Sequence, residues 1–284
     1  MQSSHNSNHE TLQSCTQKQP FWALYDELID AIPAGIEVID YCIGAHWVYV
    51  EAACGMGISH ALSAGAHEGF NKDARELDLR SLAQFAKSWN FVEAAIGVAA
   101  LNAWHSSVQH VEALGGAIDF DRAETNDASN PFKALAEQYR GKNVAVIGHF
   151  PNVETMRKIA RVSVLERNCT SSLDIPDSAC EALLPEQDFI FMTGTTLINK
   201  TIVRLLELSK HAYCGVVGPS TLPHEAYFER GVNLLGGSVV VDHEAAKLSI
   251  KGGTKRQWRS GIKKFHIERA QLINARESAY GMNS

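Results

Sequence analysis

Asn143-Val144-Ala145-Val146-Ile147 runs straight into Gly148-His149-Phe150-Pro151-Asn152-Val153-Glu154, and the change of character between the two decides the fold. The first five residues are mostly apolar and β-branched, as suits a strand covered on both faces. Gly148 permits a tight turn, and Pro151 can open a following helix. The same unit recurs downstream at Val162 to Leu165, Phe189 to Met192, Cys214 to Val217 and Val232 to Val241, the last expected to break at Gly236-Gly237. Helical stretches separate these runs. The alternation predicts a mostly parallel sheet.

Such a strand–helix alternation is Rossmann-like, and it extends from residue 131 to 284, after a short helix at Phe132 to Tyr139. Lys255 to Arg269 carries Trp258, Ile262 and Phe265 at helical spacing and reads as a closing helix with a solvated basic face. Working back from residue 131, the stretch 105 to 130 is polar and aperiodic, and a linker is placed at 116 to 130. Before it, residues 20 to 115 have a different grammar. Phe21, Leu24, Tyr25, Leu28 and Ile29 form a helical stripe that Pro33-Ala34-Gly35 stops. Ile36 to Ile43 and Trp47 to Ala52, joined by Gly44-Ala45-His46, read as a β-hairpin. Helices at Leu79 to Ser88 and Phe91 to Trp104 follow. The expected fold class is therefore α/β: a small α+β domain ahead of the parallel-sheet domain. Residues 1 to 19, rich in Ser, Asn, Gln and His, read as a disordered arm whose His5, His9 and Cys15 are incidental.

With 284 residues, 45% of them hydrophobic, the chain can build a core for two domains. A net charge of −6 gives no long-range attraction for phosphate backbones or anionic lipid, so neither nucleic acid nor membrane is an expected partner. No run of about 20 apolar residues occurs, and the first 19 lack a hydrophobic signal core, so the expected location is the cytoplasm. The six cysteines are scattered without a CxxC pair, which suits reduced thiols; Cys42 and Cys214 lie in apolar runs that suit core packing.

In an open parallel sheet, ligands bind beyond the carboxyl ends of the strands. The candidates are accordingly the residues that end each run. Gly148 and His149 end the first, and Glu166 ends the second, where a carboxylate often receives ribose hydroxyls. A GxGxxG turn is missing, and Phe150 stands where a pyrophosphate would need bare backbone, so a dinucleotide is disfavoured while an adenosine-like ligand stays open. Glu166 can equally be a surface acid paired with Arg167. The third run enters Thr193-Gly194-Thr195-Thr196-Leu197-Ile198-Asn199, whose hydroxyls can cap a helix or hold an anion or carbonyl group. Gly218-Pro219-Ser220-Thr221 repeats that character after the fourth.

With these turns assembled, the chain resembles the family described as “putative heavy-metal chelation”. The stretches Val146 to Pro151, Thr193 to Asn199 and Val217 to Thr221 look like its signature turns, and Glu93-Ala94-Ala95-Ile96-Gly97-Val98-Ala99-Ala100-Leu101-Asn102-Ala103 is similar to its N-terminal motif. The resemblance covers about residues 20 to 270. It implies an enolase N-terminal-like first domain, a Rossmann-like second domain and a site in the crevice between them. Carried over by motif, it marks Glu93 and Asn102 on the first, and His149, Glu166, Thr193, Thr195, Thr196, Asn199 and Ser220 on the second.

Imidazole and thiolate favour transition metals, and tight sites need three or four ligands. His46, Cys54, His60, His67, His149, Glu166 and Asp242-His243 are scattered without HxH, HExxH or CxxC spacing, so any metal site is assembled by the fold. Three functions follow. The chain binds a transition metal or a metal-bearing small molecule in the crevice, with His149, Glu93 and Glu166 as candidate oxygen or nitrogen donors. Alternatively it is an enzyme using a nucleotide-like or adenosine-type ligand, although no Ser-His-Asp or paired-carboxylate signature names a reaction. Last, it is a non-catalytic docking protein. Enzymatic activity and homo-oligomer formation are left open by the sequence.

Overall fold

The structure is a computed structural model and describes residues 20–62, 69–120, 130–253 and 261–274. The polar arm, His67, residues 121–129 of the expected linker and Trp258 lie outside the described residues. Strands β1 (Val38–Ile43), β2 (Trp47–Ala52) and β3 (Gly55–His60) form an antiparallel three-stranded sheet in that order, with Tyr41 opposite Val50 and Trp47 opposite His60. The hairpin turn falls at Gly44-Ala45-His46, as the spacing predicts. The second sheet has eight strands: β4 (Ala117–Ile118), β5 (Asn143–Ile147), β6 (Arg161–Glu166), β7 (Asp174–Pro176), β8 (Phe189–Thr193), β9 (Tyr213–Val217), β10 (Val232–Val240) and β11 (Ile262–Glu268). Their spatial order is β4-β11-β10-β9-β8-β5-β6-β7, parallel from β7 through β10 and antiparallel at β10–β11 and β11–β4. The molecule is thus a mixed α/β fold with a small antiparallel sheet and a larger, mostly parallel one.

Burial on both faces accounts for the uniform runs of the central strands. Val144, Ala145 and Val146 are fully buried, as are Ile190, Phe191 and Met192. Each large apolar side chain so buried contributes roughly 1.5–3 kcal/mol, so a polar residue in these runs would forfeit stability on either face. Helix Phe91–His105 shows the same logic in helical form: every residue from Ala94 to Ala103 is buried, because β2 and β3 cover one side and the segment Gln84–Lys87 another. Two glycines permit these approaches. A Cβ on Gly97 would stand 2.0 Å from the Ala86 amide nitrogen, and one on Gly57 would stand 2.0 Å from that of Ala103. One continuous apolar core runs from Leu24 and Ala94 to Leu222 and Tyr227, spanning both sheets.

Two expectations are corrected. Residues 262–268 form a strand, not part of a closing helix: Phe265 and Ile267 are buried two apart, and the open edge of β10 offers seven paired positions from Leu234–Glu268 to Val240–Ile262. The pairing outweighs a helical spacing that rested on three residues. Nor does β10 break at Gly236-Gly237. A Cβ on Gly237 would meet the Phe265 ring at 2.4 Å and the Thr221 carbonyl at 2.5 Å, so the glycine serves close packing within an unbroken strand. The five described cysteines are free thiols, with Cys214 buried and Cys42 half-buried.

Candidate functional site

The chain runs β5 to β6 to β7 outward in one direction, then returns to place β8 on the other side of β5. Loops at such a reversal diverge and leave a crevice at the strands' carboxyl ends. Here the crevice is a cleft of about 480 Å³, lined by Gly148, His149, Glu166, Thr193, Thr195, Thr196 and Asn199 from the large-sheet side and by His60, Leu62 and Phe91 from the other. Its floor depends on Gly148, with φ +100°, whose missing Cβ would stand 2.9 Å from the Thr193 methyl.

His149 directs Nε2 at Asp174, 3.1 and 3.2 Å from its two carboxylate oxygens. The Ser171 and Thr170 amides each donate to Asp174 Oδ2 at 2.8 Å, and these bonds hold its carboxyl below the usual range against the effect of burial. A carboxylate so fixed places the imidazole proton on Nε2 and turns the Nδ1 lone pair away from Asp174. Glu166 lies close enough to His149 for the imidazole to influence its carboxyl. Burial raises the Glu166 carboxyl, opposed by His149 and by the Arg167 amide, which donates to Oε2 at 3.2 Å. Opposite them, the amide and hydroxyl of Thr195 both donate to Thr193 Oγ1, and Thr196 Oγ1 donates to the Thr193 carbonyl at 2.7 Å. Asn199 Oδ1 accepts from the amide and hydroxyl of Thr201. The helix that a threonine could have capped begins at Thr195 with Gly194 as its cap, and the Thr195 and Thr196 hydroxyls bond Thr193 instead. On the rim, Arg167 pairs with Asp177 and Arg204 with Glu181.

Three motif residues lie outside the cleft lining. Glu93 sits in the first turn of helix Phe91–His105 and accepts from the Ser88 hydroxyl at 2.5 Å. Asn102 is buried, donates from Nδ2 to the Ile58 carbonyl at 2.9 Å and accepts from Ser106 Oγ. Ser220 is buried and accepts from the His60 amide at 2.9 Å, joining the turn after β9 to the end of β3. Asn102→Ala is expected to lower stability by about 1–3 kcal/mol by stranding the Ile58 carbonyl, with cleft binding unchanged in the folded fraction. Chemical denaturation beside a binding titration checks both halves of that statement.

The cleft residues that sequence reasoning passed over include Leu62, Phe91, Asp177, Glu181 and Arg204. His60 was named there only as one of several scattered histidines. The structure stacks it on Trp47, with Nδ1 2.9 Å from the His46 carbonyl.

Comparison with known proteins places this geometry. Residues 25–105 and 130–268 each match a family described as “Putative heavy-metal chelation”. A crystal structure of a protein with unknown function from Desulfitobacterium hafniense DCB-2 superposes with a TM-score of 0.78 at 32% identity, covering 88% of this chain and 99% of that one. The chain belongs to the family described as “Putative heavy-metal chelation”. A second structure, from Pyrococcus horikoshii and also of unknown function, shares the fold at a TM-score of 0.73 and 23% identity, over 87% of this chain and 99% of its own. An uncharacterized protein of Methanocaldococcus jannaschii is 27% identical over 248 residues, 82% of this chain and 90% of the relative. The family name points to metals, and the residues present meet it halfway. Among the described residues no group of three or more His, Cys, Asp or Glu is arranged to hold a metal ion, while His149 and Glu166 both line the cleft. No helix of the described residues is long and apolar enough to cross a membrane.

Proposed function

We propose that this chain binds a transition metal already held by a small organic chelator, in the cleft beyond β5, β6 and β8. One observation carries the reading: His149 gives one ring nitrogen to a carboxylate that is itself fixed by two backbone amides. Metal-binding histidines are oriented in this way, because the carboxylate sets the tautomer and strengthens the other nitrogen as a donor. His149 and Glu166 then occupy two positions on the metal, and the chelator supplies the remainder. The Thr193, Thr195, Thr196 and Asn199 groups face the organic part, and a cleft of about 480 Å³ suits a molecule of that size.

Calorimetric titration of untagged protein with Ni(II)–citrate, Zn(II)–citrate and the free ions tests this. The citrate complexes are expected to bind, and His149→Ala and Asp174→Asn each to weaken them about 10- to 100-fold. Equal affinity of wild type and His149→Ala, or no binding of either complex, would sink the reading.

A second reading keeps the cleft and changes its occupant. Glu166 closes the second parallel strand beside the reversal point, the position from which a carboxylate receives ribose hydroxyls. An enzyme with an adenosine-type ligand would use it so. A rise in Tm with adenosine or AMP, and none with the citrate complexes, selects this reading over the first.

A further inference from the structure

Lys200 is an anomaly beside the cleft. It is 3% exposed, and it is the one non-glycine residue among those described with positive φ, at +67°. Nζ donates to the Ile198 carbonyl at 2.8 Å and lies 6.0 Å from the centre of the Phe91 ring. Among the described residues no carboxylate pairs with it, and burial alone brings the amine down to about 7. A left-handed backbone at a side-chain-bearing residue and a buried amine without a counter-charge each cost stability, and such costs collect where a site needs them. The neighbours on both sides of it, Asn199 and Thr201, line the cleft, and so does Phe91.

The charges of the cleft sharpen the point. Arg167 is matched by Asp177, Arg204 by Glu181, and His149 by Asp174. Glu166 on the lining and Lys200 just behind it remain, one acid and one amine. An occupant complementary to both carries positive charge at one end and an acidic group at the other. A metal chelate with a carboxylate left off the metal is such a molecule.

We propose that Lys200 is the anion-binding group of the cleft: Phe91 turns aside, and Nζ exchanges the Ile198 carbonyl for a free carboxylate of the chelator. The inference rests on the reading of the cleft as a metal-chelate site and adds the class of chelator that it selects. An amine that is partly neutral in the free protein takes up a proton when a carboxylate docks on it, so binding and protonation are linked.

The test is calorimetry of the full chain with Ni(II)–citrate, which keeps an acidic arm, and Ni(II)–bipyridine, which has none, each in buffers of different ionisation heat at pH 8. Wild type is expected to bind the citrate complex with net proton uptake. Lys200→Met and Lys200→Gly are expected to bind it about tenfold or more weakly and without uptake, while binding the bipyridine complex as wild type does. Lys200→Gly also accepts φ +67° without strain, so a Tm at or above wild type shows that lost affinity is not lost structure. If the citrate complex binds wild type and Lys200→Met equally, or if uptake persists in the variants, Lys200 is not the anion site and the cleft reading stands. If neither complex binds wild type, both fall.

Discussion

Gly57→Ala is expected to lower stability by about 3–5 kcal/mol, a large share of the roughly 5–15 kcal/mol that holds a typical domain folded. The added methyl would stand 2.0 Å from the Ala103 nitrogen and 2.2 Å from the Ala99 carbonyl oxygen. Both are backbone atoms of a helix buried on all sides, so no side chain can rotate out of the way. The helix must retreat from β3, and the retreat stretches two buried bonds that bind the elements: Ser59 Oγ to the Ala95 carbonyl at 2.7 Å, and Asn102 Nδ2 to the Ile58 carbonyl at 2.9 Å. Gly35→Ala is the control. At φ +79° with nothing within 4 Å of its added carbon, it tests the left-handed backbone alone and is expected to cost about 1 kcal/mol. Denaturant midpoints with unchanged m-values measure both; a Gly57→Ala loss no larger than that of the control would show that the helix can move freely.

The second large effect is acid lability centred on His105. This imidazole is buried, with Nε2 2.8 Å from the Leu28 carbonyl and its ring 5.0 Å from that of His224 and 6.4 Å from that of His110. Burial, reinforced by the neighbouring His224, drives it from 6.5 down to about 3. His224 is lowered as well, chiefly by burial, although Glu225, Glu27 and Glu229 oppose the shift and Arg230 adds to it. An imidazole whose folded value is depressed stays neutral in the native state while the unfolded chain takes up a proton. Its contribution is thus complete above pH 6.5 and drains away as the pH falls towards 3. The loss from His105 amounts to about 4–5 kcal/mol across that window. His105→Gln keeps a donor for the Leu28 carbonyl but does not titrate. Urea unfolding at intervals from pH 7 to pH 5, where carboxylates contribute equally to both proteins, is expected to fall for wild type and to flatten for the variant. Parallel curves would remove His105 as the cause.

The parallel strands were legible because burial on both faces leaves nothing to alternate: Val144-Ala145-Val146 and Ile190-Phe191-Met192 can hardly be read otherwise. The residues of the cleft that follow strands were legible for a related reason. A chain reversal gathers the carboxyl ends of β5, β6 and β8 whatever the side chains are, so Gly148, His149, Glu166 and Thr193 come together by topology. Strand β3 was hidden by the glycines at 55 and 57, which weaken a strand pattern yet are required by a helix lying on the strand. With β3 unread, His60 could not be placed at its end. Phe91 escaped notice because the motif drew attention to Glu93, two positions along a helix and hence on another side of it. Arg167–Asp177 and Arg204–Glu181 depend on loops meeting in space, which no local spacing records. The strand at 262–268 was misread because a few apolar residues can satisfy a helical period by chance, whereas the vacancy at the edge of β10 exists only once the sheet is built.

Strand β4 makes the molecule hard to divide. Ala117 and Ile118 leave the neighbourhood of the small sheet and pair with His266 and Phe265, and the contact continues as the Asp119 amide donates to the Lys264 carbonyl and Lys263 Nζ to that of Phe120. The polypeptide of the first half therefore seals the far border of the second. A fragment starting at Asn130 would keep every strand beneath the cleft, yet it would carry β11 with its outer hydrogen-bonding groups bare, an adhesive margin that invites pairing with another chain. Stitching of this kind sets the unit that duplication or recombination can move: both halves travel together, or the larger one arrives with an unsealed seam.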